Sequence, residues 1–104
     1  MSSRELTLDQ RDISFVIREW LPIGQLSESE KFADFDEETL DLMVQEGIRF
    51  AIEVVAPTRS ESDREGCRME DGRVKVSKCL RKPYQKAYEL GWASVSASSE
   101  YGGM

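Results

Sequence analysis

The chain has 104 residues, 20 of them acidic and 14 basic, which gives a formal charge of −6, and it contains no histidine. A chain of this length buries about 60–65% of the surface its unfolded form exposes, enough for one modest core but not for a core plus a separate cofactor domain. The acidic balance excludes a general binder of phosphate backbones, and the missing histidine excludes Ser-His-Asp and Cys-His nucleophile systems, imidazole metal sites and histidine proton shuttles.

Cys67 and Cys79 are the only thiols. Their separation is not that of a redox Cys-x-x-Cys pair, and two thiolates fall short of a closed structural zinc site. The start, Met1 to Thr7, is polar and lacks the apolar stretch of a signal peptide, and no apolar run approaches a membrane span. These features lead us to expect a cytoplasmic protein with both cysteines reduced, binding neither membrane nor nucleic acid.

The first helix is expected from about Asp9 to Leu21. Ile13, Val16, Ile17, Trp20 and Leu21 recur at helical spacing along one face. Asp9 suits the N-cap with Leu8 and Ile13 as a hydrophobic staple, and Thr7 with Gln10 forms a competing capping box. Pro22 and Gly24 stop the run. A polar connector follows from Ile23 to Phe35, in which Phe32 and Phe35 are expected to fold back over neighbouring helix ends.

The second helix has the clearest signals. Asp36 occupies the N-cap position with Phe35 and Leu40 as its staple, and Glu37 and Glu38 complement the positive end of the helix dipole. Leu40, Val44, Ile48, Ala51 and Val55 then form an apolar stripe that Pro57 is expected to end. Gly47 and Ala51 lie one turn apart and are small enough to admit another helix closely.

Residues 58–66 read as a polar loop. Asp71-Gly72 is a tight-turn signal between Arg68-Met69-Glu70 and Arg73-Val74-Lys75-Val76, which predicts a small hairpin or an extended excursion. Pro83 suits the first turn of a third helix, with Tyr84, Ala87 and Tyr88 inward and Gly91 at C′. Residues 92–104 show no clear period. The fold class expected is all-α: three main helices, with the hairpin between the second and third.

No constellation of side chains reads as a self-contained active site. Glu46 and Glu53 could share a helix face but lack the histidines of a di-iron site, so a solvated face is expected. Asp63, Glu65, Glu70 and Asp71 do not match a calcium loop, and Arg64 and Arg68 sit among them. Arg59, Arg64, Lys75, Lys78, Arg81, Lys82 and Lys86 could meet a phosphorylated ligand such as a coenzyme tail, or only balance the acidic first half. Tyr84, Tyr88, Trp20 and Trp92 are expected in the core, not around a ligand. Residues 1–56 carry a balance of −8 and residues 57–104 one of +2, a split that allows head-to-tail contact between copies.

Several segments, in order, resemble the start of the acyl-CoA dehydrogenases: Phe32-Ala33-Asp34-Phe35-Asp36-Glu37-Glu38-Thr39-Leu40, the helix closing at Val54-Val55-Ala56-Pro57, Asp63-Arg64-Glu65-Gly66-Cys67 and Asp71-Gly72. The likeness is greatest to the long, multi-domain branch that includes methylthiopropanoyl-CoA dehydrogenases. Gly91-Trp92 and Ser99-Glu100-Tyr101-Gly102-Gly103 are similar to that family's GW…PEEYGG signature, with serine where proline is usual. The resemblance implies an N-terminal-like helical domain over residues 1–104, broken off before the middle β domain and the C-terminal helical bundle. In the complete family enzyme a carboxylate base removes the α proton of an acyl-CoA thioester, and bound FAD accepts the β hydride.

The resemblance assigns this chain no catalytic, cofactor-binding or metal-binding residue, and it implies that Tyr101, Gly102 and Gly103 approach the wall of the acyl pocket. Three readings stay open. One is a leading domain of a flavin-dependent dehydrogenase, inactive and flavin-free alone, whose exposed helix faces self-associate or meet the remaining dehydrogenase domains. The others are a non-catalytic helical interaction or self-assembly protein, and an accessory subunit that completes a dehydrogenase in trans.

Overall fold

In the computed structural model, which describes residues 8–104, α-helix begins where a free carboxylate is available to cap it. Asp9 is extended and accepts from the amides of Arg11 at 2.9 Å and Asp12 at 3.3 Å, which starts α1 (Gln10–Phe15). The rival capping box involves Thr7, which lies outside the described residues. Helical turns continue as a π segment over Val16–Trp20 and stop at Leu21, ahead of Pro22. The expected apolar face is only lightly covered: Trp20 is 68% exposed and Phe15 and Leu21 are exposed as well, so Trp20 is not a core residue.

The connector is more ordered than its composition implies. Short 3-10 turns occupy Ile23–Glu28 and Glu30–Phe32, closed by the hydroxyls of Ser27 and Ser29, which donate to the carbonyls of Gly24 and Leu26. Phe32 and Phe35 are both half-buried.

Asp36 caps the second helical run as its sequence position predicts. Its carboxylate accepts from the Thr39 amide at 2.8 Å, and α2 runs over Glu37–Phe50. A π segment then covers Ala51–Val55. A π turn closes its hydrogen bonds one residue further on than an α turn, so the buried stripe advances four residues at a time there. The covered positions are accordingly Ile48, Ile52 and Ala56, whereas Val55, expected inward, is 41% exposed.

The structure overturns the expectation that Pro57 ends this run before a polar loop. Ala56–Thr58 form a 3-10 turn, and Arg59–Glu65 form a further helix, α3. Proline lacks only its own amide proton, and at the opening of a helical stretch that donor has no partner to lose. Within α3 the Ser62 hydroxyl donates to the Arg59 carbonyl and the Arg64 guanidinium to that of Ser60. The chain divides into two compact units at this point, residues 1–56 and 57–104.

In the second unit, Gly66 leaves α3 with φ of 62°, and β1 (Arg68–Glu70) pairs antiparallel with β2 (Arg73–Lys75). Asp71 and Gly72 have φ of 51° and 73°, the left-handed pair that a two-residue hairpin turn requires. A 3-10 turn at Lys78–Leu80 leads into α4 (Arg81–Glu89), with Pro83 in its first turn and buried. The helix closes as a Schellman motif: Gly91, at φ of 83°, donates to Tyr88 and Trp92 donates to Ala87.

The inward face of α4 differs from the expected one. Pro83 is buried, Leu80 and Ala87 are half-buried, and Tyr84 and Tyr88 are exposed. The two phenols pair with each other on the outer face, rings 5.0 Å apart and the Tyr84 hydroxyl donating to that of Tyr88 at 3.4 Å. Leu80, Pro83 and Ala87, spaced three and four apart, form the covered face.

Two outcomes test these assignments. Val44→Asp sets an unpaired charge in the half-buried stripe of α2 and should cost about 2–3 kcal/mol in thermal or denaturant unfolding, whereas Glu46→Gln should leave the transition in place. The Asp36 carboxyl is held below its ordinary range by its hydrogen bonds from Thr39. Its capping contribution is therefore complete at neutral pH and is lost as pH falls below the usual aspartate range. Helical circular dichroism followed from pH 6 downward should show in the wild type an acid loss that Asp36→Asn, whose amide caps without titrating, lacks.

Candidate functional site

Three places in the described chain bring functional groups together. The first is the C-terminal turn. Ser98 accepts from the Glu100 amide through its hydroxyl, and its carbonyl takes the amides of Tyr101 at 2.8 Å and Gly103 at 3.0 Å. Gly102 adopts φ of 84°. Gly103 packs so tightly that a Cβ there would overlap the Ala97 carbonyl. The Ser94 hydroxyl reaches the Gly102 carbonyl at 3.2 Å, and Met104 donates to Val95. The two glycines thus have different duties, one supplying a left-handed bend and the other a close backbone approach. The Tyr101 ring stands outside this knot, 75% exposed.

A second arrangement joins the hairpin to the helix ends on either side of it. The Ser77 side chain is almost wholly buried, at 2% exposure. Its hydroxyl donates to Glu65 Oε2 at 2.5 Å and touches Cys79 Sγ at 3.0 Å, and Cys79 Sγ reaches the Thr58 carbonyl at 3.7 Å. The hydrogen bond from Ser77 and then the Arg68 guanidinium hold the Glu65 carboxyl below its ordinary range. Arg68 binds Glu65 at 3.0 Å and Glu70 at 3.3 Å. Those two acids, considered above with Asp63 and Asp71 as a possible cation site, therefore converge on an arginine. Among the described residues no three His, Cys, Asp or Glu side chains gather as a metal site needs.

The third is a cleft of about 330 Å³ in the first unit, between the end of the first helical run, the 3-10 turns and the start of α2. Ile17, Ile23 and Leu40 form its apolar side, and Glu28, Glu37 and Asp41 border it with Arg18. Arg18 and Asp41 pair at 2.7 Å across the rim.

The remaining sequence candidates stay apart. Glu46 pairs with Arg49 on the exposed face of α2, and Glu53 is exposed. Of the basic residues, Lys86 pairs with Glu89 and Arg64 with a backbone carbonyl, while Lys75, Lys78, Arg81 and Lys82 are exposed. Trp92 is half-buried. Cys67 is exposed and Cys79 half-buried, both as free thiols. No described helix is long and apolar enough to cross a membrane.

Sequence reasoning missed the Ser77–Glu65 bond, although its signal was present. The Asp71-Gly72 turn pairs Arg68 with Lys75, and carrying that register two residues further places Ser77 level with Gly66, beside Glu65.

With this geometry in view, comparison with curated proteins finds a distant homologue of acyl-CoA dehydrogenase type. It is the 3-methylmercaptopropionyl-CoA dehydrogenase of Ruegeria pomeroyi, 31% identical over 94 residues, which make up 90% of this chain and 16% of the relative. The chain therefore spans about one-sixth of that protein's length. No protein-family model matches the chain, and no solved structure does.

Both glycine and serine assignments are open to test. Gly103→Ala should open the terminal knot, read as faster amide exchange over residues 94–104, while Gly102→Ala should strain the bend with no clash, because nothing lies within 4 Å of the added carbon. In wild-type protein a thiol reagent should label Cys67 quickly and Cys79 slowly. Ser77→Ala should speed the slow phase several-fold, because it removes the hydroxyl that packs on the Cys79 sulfur.

Proposed function

We propose that this chain acts as the leading helical part of a flavin-dependent acyl-CoA dehydrogenase and has no turnover by itself. The observation that carries the reading is 31% identity to such an enzyme across 90% of the chain. In a complete enzyme of this type FAD, when bound, supplies the hydride acceptor for dehydrogenation between Cα and Cβ of the thioester.

The described residues do not fit that group. Among them no buried side-chain nitrogen or oxygen is left without a partner to receive it. The one cleft described above is bordered by Glu28, Glu37 and Asp41, whose charge opposes a diphosphate. On this reading the flavin site and the catalytic base belong to a larger assembly, and the contribution of this chain is structural. Tyr101, carried outward on the Gly102–Gly103 knot, would line the acyl pocket there, and a cytoplasmic setting goes with the same reading.

A second reading has its own support. Trp20, Leu42, Met69, Tyr84, Tyr88 and Tyr101 are each more than 60% exposed, and exposed apolar side chains on this scale favour a protein that assembles with copies of itself or with a partner. A third reading, an accessory subunit acting in trans, shares the chemistry of the first.

One reconstitution separates the two dehydrogenase readings from the assembly reading. The purified chain should carry no flavin absorbance and should not dehydrogenate acyl-CoA thioesters with an artificial electron acceptor. Adding it to a dehydrogenase whose equivalent leading segment has been removed should restore activity. Full activity of that flavoprotein without the chain, or no gain on mixing, would overturn the dehydrogenase reading and leave the assembly reading standing.

A further inference from the structure

Charge in this chain is segregated more sharply than its net value conveys. Residues 28–41 hold seven acids and a single base, Lys31, whereas residues 73–88 hold six bases and no acid. The acidic stretch borders the first-unit cleft with Glu28, Glu37 and Asp41, over an apolar side formed by Ile17, Ile23 and Leu40. Arg18 engages Asp41 at 2.7 Å, and neither Glu28 nor Glu37 has an ion-pair partner among the described residues.

The cationic stretch lies in the second unit and runs from β2 through the 3-10 turn into α4. Lys78, Arg81 and Lys82 are exposed there, and Arg81 and Lys82 make no ion pair with any described residue. Lys78 makes none within direct reach, although, after the Ser77 hydrogen bond and Arg68, its charge helps to hold the Glu65 carboxyl below its ordinary range. Lys78 and Lys82 are four apart, so on a helical stretch they stand one above the other.

We propose that the Lys78–Lys82 turn of one copy docks into the acidic cleft of a second copy, so that the chain associates head to tail. A lysine stem laid on Ile17, Ile23 and Leu40 would cover apolar surface while its ammonium reaches Glu28 and Glu37, and charge-assisted hydrogen bonds would hold it there. A dissolved phosphate would satisfy the cations but leave both carboxylates and the apolar side of the cleft uncovered. A second copy answers both surfaces at once. Because the two faces differ, the contact joins unlike surfaces of the two copies. The pairing needs only this chain and holds whether or not it serves a dehydrogenase.

The test is sedimentation velocity on the intact 104-residue protein across a concentration series. At about 20 mM salt the average mass should climb with concentration, and at about 0.5 M salt it should return to that of the monomer, because exposed charges are screened over a few ångströms there. Lys78→Glu/Lys82→Glu and Glu28→Lys/Glu37→Lys should each be monomeric at low salt, with circular dichroism matching the wild type. An equimolar mixture of the two should associate again, since each then carries the face that the other lacks. A wild type that is monomeric at every concentration in low salt overturns the proposal. So does association that survives high salt, which would come from apolar contact, and so does a mixture of the two folded variants that stays monomeric. Inorganic phosphate added at constant ionic strength should compete the association away, and association that phosphate leaves unchanged would overturn a role for the cationic turn.

Discussion

The constraint on which this structure depends is how little apolar side chain it covers. Among the described residues the buried hydrophobic set is Ile48, Ile52 and Ala56, all on one helical run. Burial of that extent cannot by itself offset the entropy of ordering a chain. Order therefore has to come from interactions close in sequence: the carboxylate caps of Asp9 and Asp36, the serine-closed 3-10 turns, and the glycine-dependent ends of α3 and α4. Nearly every element starts or stops at a side chain or a positive φ that can be named, and few are placed by a packed interior.

The second unit shows how such local devices carry long-range consequences. The left-handed pair Asp71–Gly72 sets the hairpin register, and the register delivers the Ser77 hydroxyl to Glu65 and the Cys79 sulfur to Ser77. Like charges, Arg68 and Lys75, are brought opposite each other by the same pairing. The carboxylates of Glu65 and Glu70 on Arg68 relieve that repulsion. A two-residue turn thus determines where a buried serine, a thiol and an arginine meet, with no hydrophobic core to guide them.

These features bear on function through what they leave outside. Large apolar side chains and a cationic stretch remain on the surface, and the acidic cleft has carboxylates without described partners. Both proposed roles, against other parts of a dehydrogenase or against further copies of the chain, draw on these surfaces. The similarity to the Ruegeria pomeroyi enzyme covers about one-sixth of that relative's length.

Sequence alone determined the elements whose signals are local. Asp9 and Asp36 as caps, Asp71-Gly72 as the hairpin turn, Pro83 in a first turn and Gly91 at C′ are all stereochemical requirements of a few adjacent residues, so they are legible without tertiary context. The all-α class with a hairpin between the second and third helices followed from them. Which face of each helix turns inward was decided only by the tertiary structure. The π segment over Ala51–Val55 moved burial onto Ile52 and Ala56, Pro83 is covered while Tyr84 and Tyr88 stay outside, and Pro57 opened a helix instead of closing one. The same holds for the C-terminal motif: Tyr101-Gly102-Gly103 was visible in the sequence, but that Gly103 is required by the Ala97 carbonyl depends on how the backbone closes on itself there. Periodicity reports that a face is apolar; only the neighbouring backbone determines whether anything covers it.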